Sequence, residues 1–154
     1  GYNIEKLGRE IKRILRLDVI RKAALVGVGD LGSALLAYPG FSAYGLDISA
    51  AFDIDPKKIG TRVNGVEIEG IEAIDRLKDR DISLAIVAVP RVAAQATVDR
   101  LVAAGIKGIL VLTGYGRGEY EYLRAAQPVQ PVFVAPDLEA AVEWILADLG
   151  KEPV

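Results

Sequence analysis

Residues 23–53 decide the fold of this chain and read AALVGVGDLGSALLAYPGFSAYGLDISAAFD. The stretch opens with an apolar run typical of a buried strand and passes through a Gly-x-Gly-x-x-Gly turn into a helix. It closes on a second strand that ends in Asp53. Strand, glycine turn, helix, strand and acid in this order are typical of a dinucleotide-binding βαβ unit.

Each glycine of the turn meets a separate physical demand of a dinucleotide. Gly27 allows a tight turn out of the strand, Gly29 lets a pyrophosphate approach the backbone, and Gly32 lets the helix pack close to the sheet. The amides and the dipole at the helix N-terminus attract the phosphate charge. Asp53, about 20 residues further along, is placed to accept hydrogen bonds from the adenosine ribose hydroxyls. The stretch therefore predicts dinucleotide binding, with a purely structural turn as the alternative.

Composition excludes several classes of protein. The chain has 154 residues, of which 51% are hydrophobic and 26% charged, and its net charge is −2, so we expect one folded domain without a basic field for nucleic acid. It has no cysteine and no histidine, so neither a thiol nucleophile nor the commonest metal ligand is present, and we expect no metal site. No apolar run is long enough to span a membrane, and we expect a cytoplasmic location.

Strands and helices alternate along the rest of the chain. Helices are predicted over 4–17, 71–78, 92–104, 119–126 and 137–149, and strands over 65–69, 82–89, 109–112 and 132–134. This alternation predicts a single α/β domain over 1–154, with a three-layer, doubly wound (Rossmann-like) parallel sheet and helices on both faces. The strand at 109–112 is expected to pair with the strand at 83–89, and Trp144 is expected in the core or at its border.

From Gly1 to about Leu110 the chain resembles the cofactor domain of the redox-sensing transcriptional repressor (Rex) family. The motifs that carry the resemblance are Gly1-Tyr2-Asn3-Ile4, Ala24-Leu25-Val26-Gly27-Val28-Gly29, Leu31-Gly32, Tyr38-Pro39-Gly40-Phe41, Ala51-Phe52-Asp53 with Asp55-Pro56, Ala88-Val89-Pro90 and residues 104–110. The resemblance implies NAD(H) as the ligand. It also implies a winged-helix DNA-binding domain before Gly1, and because that domain is absent here we expect no DNA binding. Asp30 departs from the family pattern, in which a neutral or basic residue is usual.

The predicted cofactor contacts combine the Gly-rich motif with this resemblance. They are Gly27, Val28, Gly29, Asp30, Leu31, Gly32, Asp53, Ile54, Val89, Pro90 and Thr113. Arg62 or Lys57 could meet a 2′-phosphate, but Asp53 opposes that charge, so NAD is predicted over NADP. Thr113 opens a second Gly-rich turn at 113–118, for which an inherited strand–helix connection is the alternative to a phosphate contact.

From about Val111 the sequence looks like the C-terminal end of haloacid dehalogenase-like (HAD) hydrolases. This resemblance is carried by residues 111–119, 134–138 and 141–146. The nucleophilic Asp-x-Asp of those phosphatases does not follow the first strand here, so no catalytic residue carries over and we expect no enzyme activity. Two families joined inside a strand, in a chain without methionine, suggest an engineered chimera or fragment rather than natural divergence. A designed fold without ligand binding is then the alternative to a retained NAD(H) site.

The resemblance to Rex also bears on assembly. That family dimerises through a C-terminal helix, which the helix at 137–149 replaces here. Its apolar residues, which can pack on the chain's own sheet, are Leu138, Val142, Ile145 and Leu149. We therefore expect a monomer.

Overall fold

The structure is a computed structural model and describes residues 3–7, 20–107, 109–111, 131–136, 140, 143–144 and 147. Its strands are β1 (Arg21–Val26), β2 (Leu46–Asp53), β3 (Arg62–Val63), β4 (Val66–Gly70), β5 (Leu84–Val87), β6 (Ile109–Val111) and β7 (Phe133–Ala135). Its longer helices are α1 (Asp30–Ala37) and α2 (Arg91–Ala103), and 3₁₀ turns cover Pro39–Tyr44, Ile71–Arg76 and Lys78–Arg80.

β1 lies inside a five-stranded sheet with the strand order β3-β4-β2-β1-β5. It pairs in parallel with β2 on one side and with β5 on the other, and β2 pairs in parallel with β4. The side chains from Ala23 to Val26 are almost completely buried. A continuous apolar run of this kind is what a parallel strand needs when both faces of its sheet are covered.

Alternate residues of the central strands face two separate apolar layers, because successive side chains of a strand point to opposite faces. On one face Val26 packs in a cluster with Ile74, from the turn after β4, and with Leu101 of α2. On the other face Leu25 packs in a cluster with Leu36 of α1. The five-stranded sheet is thus covered on both sides, and the predicted Rossmann-like fold class is confirmed.

The outer edge of this sheet is a hairpin that the sequence reasoning missed. β3 pairs antiparallel with β4, and the turn residues Asn64 and Gly65 have φ of 49° and 80°. An Asn-Gly pair with positive φ at both positions is a favoured two-residue hairpin turn, so the signal was present in the sequence. The alternating pattern of residues 65–69 predicts a short edge strand; this strand exists as β4, but β3 lies outside it and forms the edge.

β6 and β7 form a parallel two-stranded sheet of their own, in which Ile109 pairs with Phe133. The expected pairing of the strand at 109–112 with the strand at 83–89 is therefore wrong for the part of the chain that the structure describes. An apolar run indicates that a strand is buried, but it does not indicate the partner strand. The backbone groups of β6 are able to pair with β5 or with β7. Hydrophobicity alone does not choose between them.

Several local predictions agree with the structure. The helix predicted at 92–104 is α2, and Gly105 follows it with φ of 87°. The segment predicted as a helix at 71–78 is a 3₁₀ turn for most of its length. Trp144 is half-buried and its ring stacks on Phe133, with the ring centroids 5.3 Å apart. This contact matches the expected place of Trp144 at the border of a core.

Other predictions fall outside the described ranges. They concern most of the helix at 4–17, the turn at 113–118 with Thr113, the helix at 119–126, and the stripe of Leu138, Val142, Ile145 and Leu149. Among the residues that the structure describes, no helix is long and apolar enough to cross a membrane. Within the same ranges, no cluster of three or more His, Cys, Asp or Glu side chains is placed to hold a metal ion.

Candidate dinucleotide-binding site

The Gly loop, residues 27–32, follows β1 at the point where the strand order reverses. β2 lies on one side of β1 and β5 lies on the other. The connections to these two neighbouring strands therefore run to opposite sides of β1, which leaves a crevice at the end of this strand. The Gly27 amide donates to Phe52 O and the Ala88 amide donates to Val26 O, each at 2.8 Å, which holds the loop between β2 and the end of β5. In open α/β sheets, ligands bind in the crevice at such a switch point.

Gly27 and Gly32 occupy space that has no room for a side chain. Gly27 has φ of 93°, and a Cβ atom there would lie 2.5 Å from the carbonyl oxygen of Ala88. A Cβ on Gly32 would overlap the carbonyl oxygen of Gly27, because the first turn of α1 packs directly against the loop. These geometries agree with the tight turn and the close helix packing expected of the two residues.

Gly29 differs from both, because a Cβ added there would meet no heavy atom within 4 Å. Gly29 is the N-cap residue of α1, and no side chain caps this end of the helix. The amides of the first helical turn have no acceptor inside the helix, and the positive end of the helix dipole lies at the same place. Open space beside unpaired amides suits an anionic group such as a pyrophosphate. Asp30, exposed in this first turn, adds a negative charge that opposes such an anion.

Asp53 lies at the end of β2 and its carboxylate is already bonded to the backbone. Its Oδ2 accepts from the Val28 amide at 2.8 Å, and its Oδ1 accepts from the Asp55 amide at 2.9 Å. The side chain is only 10% exposed. Each carboxylate oxygen has a second lone pair, so Asp53 can still accept from ribose hydroxyls. Its first role in the structure, however, is to join β2 to the Gly loop.

The charge state of Asp53 follows from these contacts. Burial pushes the pKa of Asp53 upward, but the amides of Asp55 and Val28 and the nearby Lys58 ammonium outweigh it, so the pKa lies below its ordinary value. Asp53 is therefore ionised throughout the neutral range. A fixed negative charge with two backbone partners is a well-oriented acceptor for hydroxyl groups.

Lys58 belongs to the site although the sequence reasoning did not select it. Its Nζ donates to the Val28 carbonyl oxygen at 2.9 Å and lies 3.6 Å from Asp53 Oδ2. The turn at residues 55–60 brings it there, since the amides of Lys58 and Ile59 both donate to Asp55 O. The only signal in the sequence was a lysine five positions after the acid, in a loop expected on the ribose side.

The other predicted contacts near the ribose side are of two kinds. Val28 is buried, with 3% of its surface exposed, and its amide and carbonyl groups are already bonded to Asp53 and Lys58, so Val28 shapes the site instead of offering its side chain to a ligand. Ile54 and Leu31 are 72% and 63% exposed, and each directly adjoins a residue of the site in the chain. Ile54 follows β2 and Leu31 lies in the first turn of α1, and exposed aliphatic side chains at these two places are able to cover an apolar part of a ligand.

The remaining predicted contacts lie after β5. Val89 is half-buried, and its Cγ1 would be 3.0 Å from a Cβ on Gly27, so the end of β5 adjoins the Gly loop. Pro90 is exposed and is the N-cap residue of α2. The structure thus brings the Gly loop, the end of β2 and the end of β5 together, while Thr113 lies outside the described residues.

Known proteins with similar sequences place the chain in a family. A model of the CoA-binding domain family matches residues 18–114. The redox-sensing transcriptional repressor Rex of Halalkalibacterium halodurans is 38% identical over 145 residues, which are 94% of this chain and 67% of that protein. The chain belongs to the Rex family. Rex of Roseiflexus sp. (strain RS-1) is 45% identical over 111 residues, or 71% of this chain.

The extent of these alignments bears on the suspected junction near Leu110. The Halalkalibacterium Rex aligns with 94% of the chain, so the similarity to Rex continues past Leu110, contrary to expectation. These comparisons give no support for a HAD-like segment. The chain spans about half the length of the Roseiflexus Rex, 50% of that protein.

Solved structures of a Rex-family repressor, RSP, have the same fold. RSP in complex with β-NADH has a TM-score of 0.63 at 28% identity, covering 99% of this chain and 70% of RSP. RSP in complex with β-NAD+ and operator DNA has a TM-score of 0.65 at 26% identity, covering 97% of this chain and 65% of RSP. The fold around the Gly loop is therefore one that a Rex relative uses while it holds a nicotinamide dinucleotide.

Proposed function

We propose that this chain is the NAD(H)-binding domain of a Rex-type redox-sensing repressor and that it binds the dinucleotide without chemical turnover. The observation that carries the proposal is the contrast within the Gly loop. Gly27 and Gly32 are required by packing, whereas Gly29 borders open space at an uncapped helix N-terminus. Packing does not account for a glycine at that position, but a closely approaching pyrophosphate does.

The residues around Gly29 fit the rest of a dinucleotide. The pyrophosphate would lie against the first-turn amides of α1, and the adenosine ribose would hydrogen-bond to Asp53. Ile54, which is 72% exposed, would cover one face of the adenine. The nicotinamide half would extend toward Val89 and Pro90, at the end of β5. Complexes of RSP with β-NAD+ and β-NADH support the choice of a nicotinamide dinucleotide as the ligand.

The proposal assigns no catalytic residue. The chain has no histidine and no cysteine, and the carboxylate at the centre of the site, Asp53, is held ionised by two amides and Lys58. An ionised, buried carboxylate with a lowered pKa is a poor proton donor at neutral pH. The site is therefore suited to binding and not to hydride transfer assisted by an acid.

The charge of the chain bears on whether it binds DNA. RSP binds operator DNA, but the present chain has a net charge of −2 and no overall basic field. We propose that these 154 residues sense the dinucleotide and do not bind operator DNA by themselves. A salt-dependent shift of an operator duplex by this chain alone would contradict that statement.

Coenzyme A is a second candidate ligand, because the family model that matches residues 18–114 describes a CoA-binding domain. CoA shares the adenosine and pyrophosphate groups of NAD but carries an additional phosphate on its ribose. That phosphate would lie close to the ionised Asp53, as a 2′-phosphate would. The charge of Asp53 therefore favours NAD(H) over CoA as well as over NADP(H).

Isothermal titration calorimetry with NADH, NADPH and CoA tests the proposal. We expect NADH to bind at least about tenfold more tightly than the other two, a difference of about 1.4 kcal/mol. Gly29→Val should abolish NADH binding, because the new side chain fills the space of the pyrophosphate. Ala34→Val is the matched control, since Ala34 is exposed on α1 away from the Gly loop.

Two outcomes of this titration would contradict the proposal. Binding of none of the three ligands would indicate that the fold is retained without its ligand. Tighter binding of CoA than of NADH would assign the site to CoA. A HAD-like origin of residues 111–154 is no part of the proposal, because a Rex relative aligns with 94% of the chain.

A further inference from the structure

Lys58 connects two parts of the site that are distant in the chain. It follows β2, yet its Nζ donates to the carbonyl oxygen of Val28 in the Gly loop at 2.9 Å. The same Nζ lies 3.6 Å from Asp53 Oδ2, and the Lys58 side chain is 38% exposed. The ammonium group thus lies beside the proposed ribose acceptor, on a side chain that is partly exposed.

The neighbouring cations do not share this position. Lys57 is exposed, and its backbone amide donates to Asp55 Oδ1 at 2.9 Å, whereas the Lys58 ammonium group lies beside Asp53. Arg62 lies 3.4 Å from Glu67 and donates to the Gly65 carbonyl, at the outer hairpin. Of these three basic residues, Lys58 is the one whose ammonium group lies close to the Asp53 carboxylate.

The ribose side therefore presents a pair of opposite charges and not a lone carboxylate. A 2′-phosphate would be repelled by Asp53 and attracted by Lys58, and because these two charges lie 3.6 Å apart, the two effects partly cancel. The expectation that Asp53 rejects a 2′-phosphate through its charge alone is incomplete. How strongly the site separates NAD from NADP must depend on the lysine as well.

We propose that Lys58 is a specificity-determining residue of the ribose site. While Asp53 is present, Lys58 weakens the rejection of a ribose 2′-phosphate. Once the charge of Asp53 is removed, the same ammonium becomes the binding partner of that phosphate. This inference rests on the proposed NAD(H) site and concerns how the site chooses between dinucleotides.

Two adenosine ligands that differ only in the 2′-phosphate test the inference without the nicotinamide half. They are adenosine 5′-monophosphate and adenosine 2′,5′-bisphosphate, titrated alongside NADH and NADPH. The variants are Lys58→Met, Asp53→Asn and the double variant, with Lys57→Met as the control that removes the same charge one residue away. Thermal unfolding of each variant checks that it is folded.

The quantity to compare is the ratio of affinities with and without the 2′-phosphate. Lys58→Met should widen the preference for the ligand without that phosphate by about tenfold, the size of one lost charge contact. Lys57→Met should leave the ratio unchanged. Asp53→Asn should reverse the preference, and adding Lys58→Met to it should cancel the reversal.

The failures of the two proposals are distinguishable. Suppose that the unaltered chain binds NADH. If Lys58→Met leaves the ratio of affinities with and without the 2′-phosphate unchanged, the inference on Lys58 is wrong while the NAD(H) site stands. The same holds if Lys57→Met shifts this ratio as much as Lys58→Met does. If the unaltered chain binds neither NADH nor NADPH, the proposed function fails and the inference fails with it. If Asp53→Asn does not fold, the comparison of Lys58→Met with Lys57→Met is sufficient to test whether Lys58 affects the choice between the ligands.

Discussion

The two sides of the Gly loop differ in whether packing requires glycine there. On the packed side, Gly27 lies against Ala88 and Gly32 lies against Gly27, so both glycines are needed even without a ligand. On the open side, Gly29 has no neighbour within 4 Å of an added Cβ. One short motif therefore contains two glycines that packing requires and one that packing does not require. Substitutions that separate these two sides are the most direct tests.

The largest effect on stability is expected for Gly32→Ala. The new Cβ would overlap the backbone oxygen of Gly27, and the side chain of Leu25 from β1 lies 3.5 Å away on the same side. Overpacking against backbone should lower the free energy of unfolding by about 3 kcal/mol. Urea denaturation measures this, with Ser33→Ala, the next position of the same helix, as the control. Equal stability of both variants would mean that α1 is not closely packed on the loop.

Gly27→Ala should have the next largest effect, about 2 kcal/mol. Its φ of 93° is strained for alanine, and the Cβ would lie 2.5 Å from Ala88 O. Gly60→Ala separates these causes, since Gly60 has φ of 86° but no atom within 4 Å of an added Cβ. We expect Gly60→Ala to cost about 1 kcal/mol, the strain alone. Equal losses in the two variants would remove the packing argument at Gly27.

A smaller and pH-dependent effect is expected for Asp53→Asn. Asparagine cannot accept from both the Val28 and Asp55 amides as a carboxylate does, which should cost about 1.5 kcal/mol at pH 7. Because the pKa of Asp53 is lowered on folding, its contribution is complete above the ordinary pKa of an unfolded aspartate and is lost as the pH falls through the lower pKa of the folded chain.

The stability of Asp53→Asn and of the unaltered chain should therefore converge on acidification. Urea denaturation in steps from pH 7 to about pH 3 measures the gap between them. A gap that stays constant over this range would show that the carboxylate charge contributes nothing to the link between β2 and the Gly loop.

The smallest effect on stability is expected for Gly29→Ala. Its φ of −82° is open to residues other than glycine and the added methyl group meets no atom, so only the poorer N-cap preference of alanine remains, and the free energy of unfolding should fall by about 1 kcal/mol or less. NADH affinity, in contrast, should fall at least about tenfold. A variant that loses stability but keeps its NADH affinity would place Gly29 with the packed glycines and contradict the division of the loop.

The sequence allowed much of the central βαβ unit to be predicted, since its signals are local. The apolar run of β1, the glycine turn and the helix that follows depend on neighbouring residues and their backbone conformations. The partner of β6 could not be predicted in the same way. Ile109 pairs with Phe133, far along the chain, and several apolar strands offered equivalent backbone groups.

The sequence by itself determined the order of the elements in the central βαβ unit, the positions of the glycines and the acid at the end of β2, because conformational freedom and hydrophobic periodicity are properties of short segments. Only the tertiary structure decided which glycines are packed and which is open. It also decided that Asp53 is bonded to Val28 and that Lys58 reaches the same loop. These contacts join residues 25 and 30 positions apart. Residues so far apart in the sequence come into contact only when β1 and β2 lie side by side in the folded sheet.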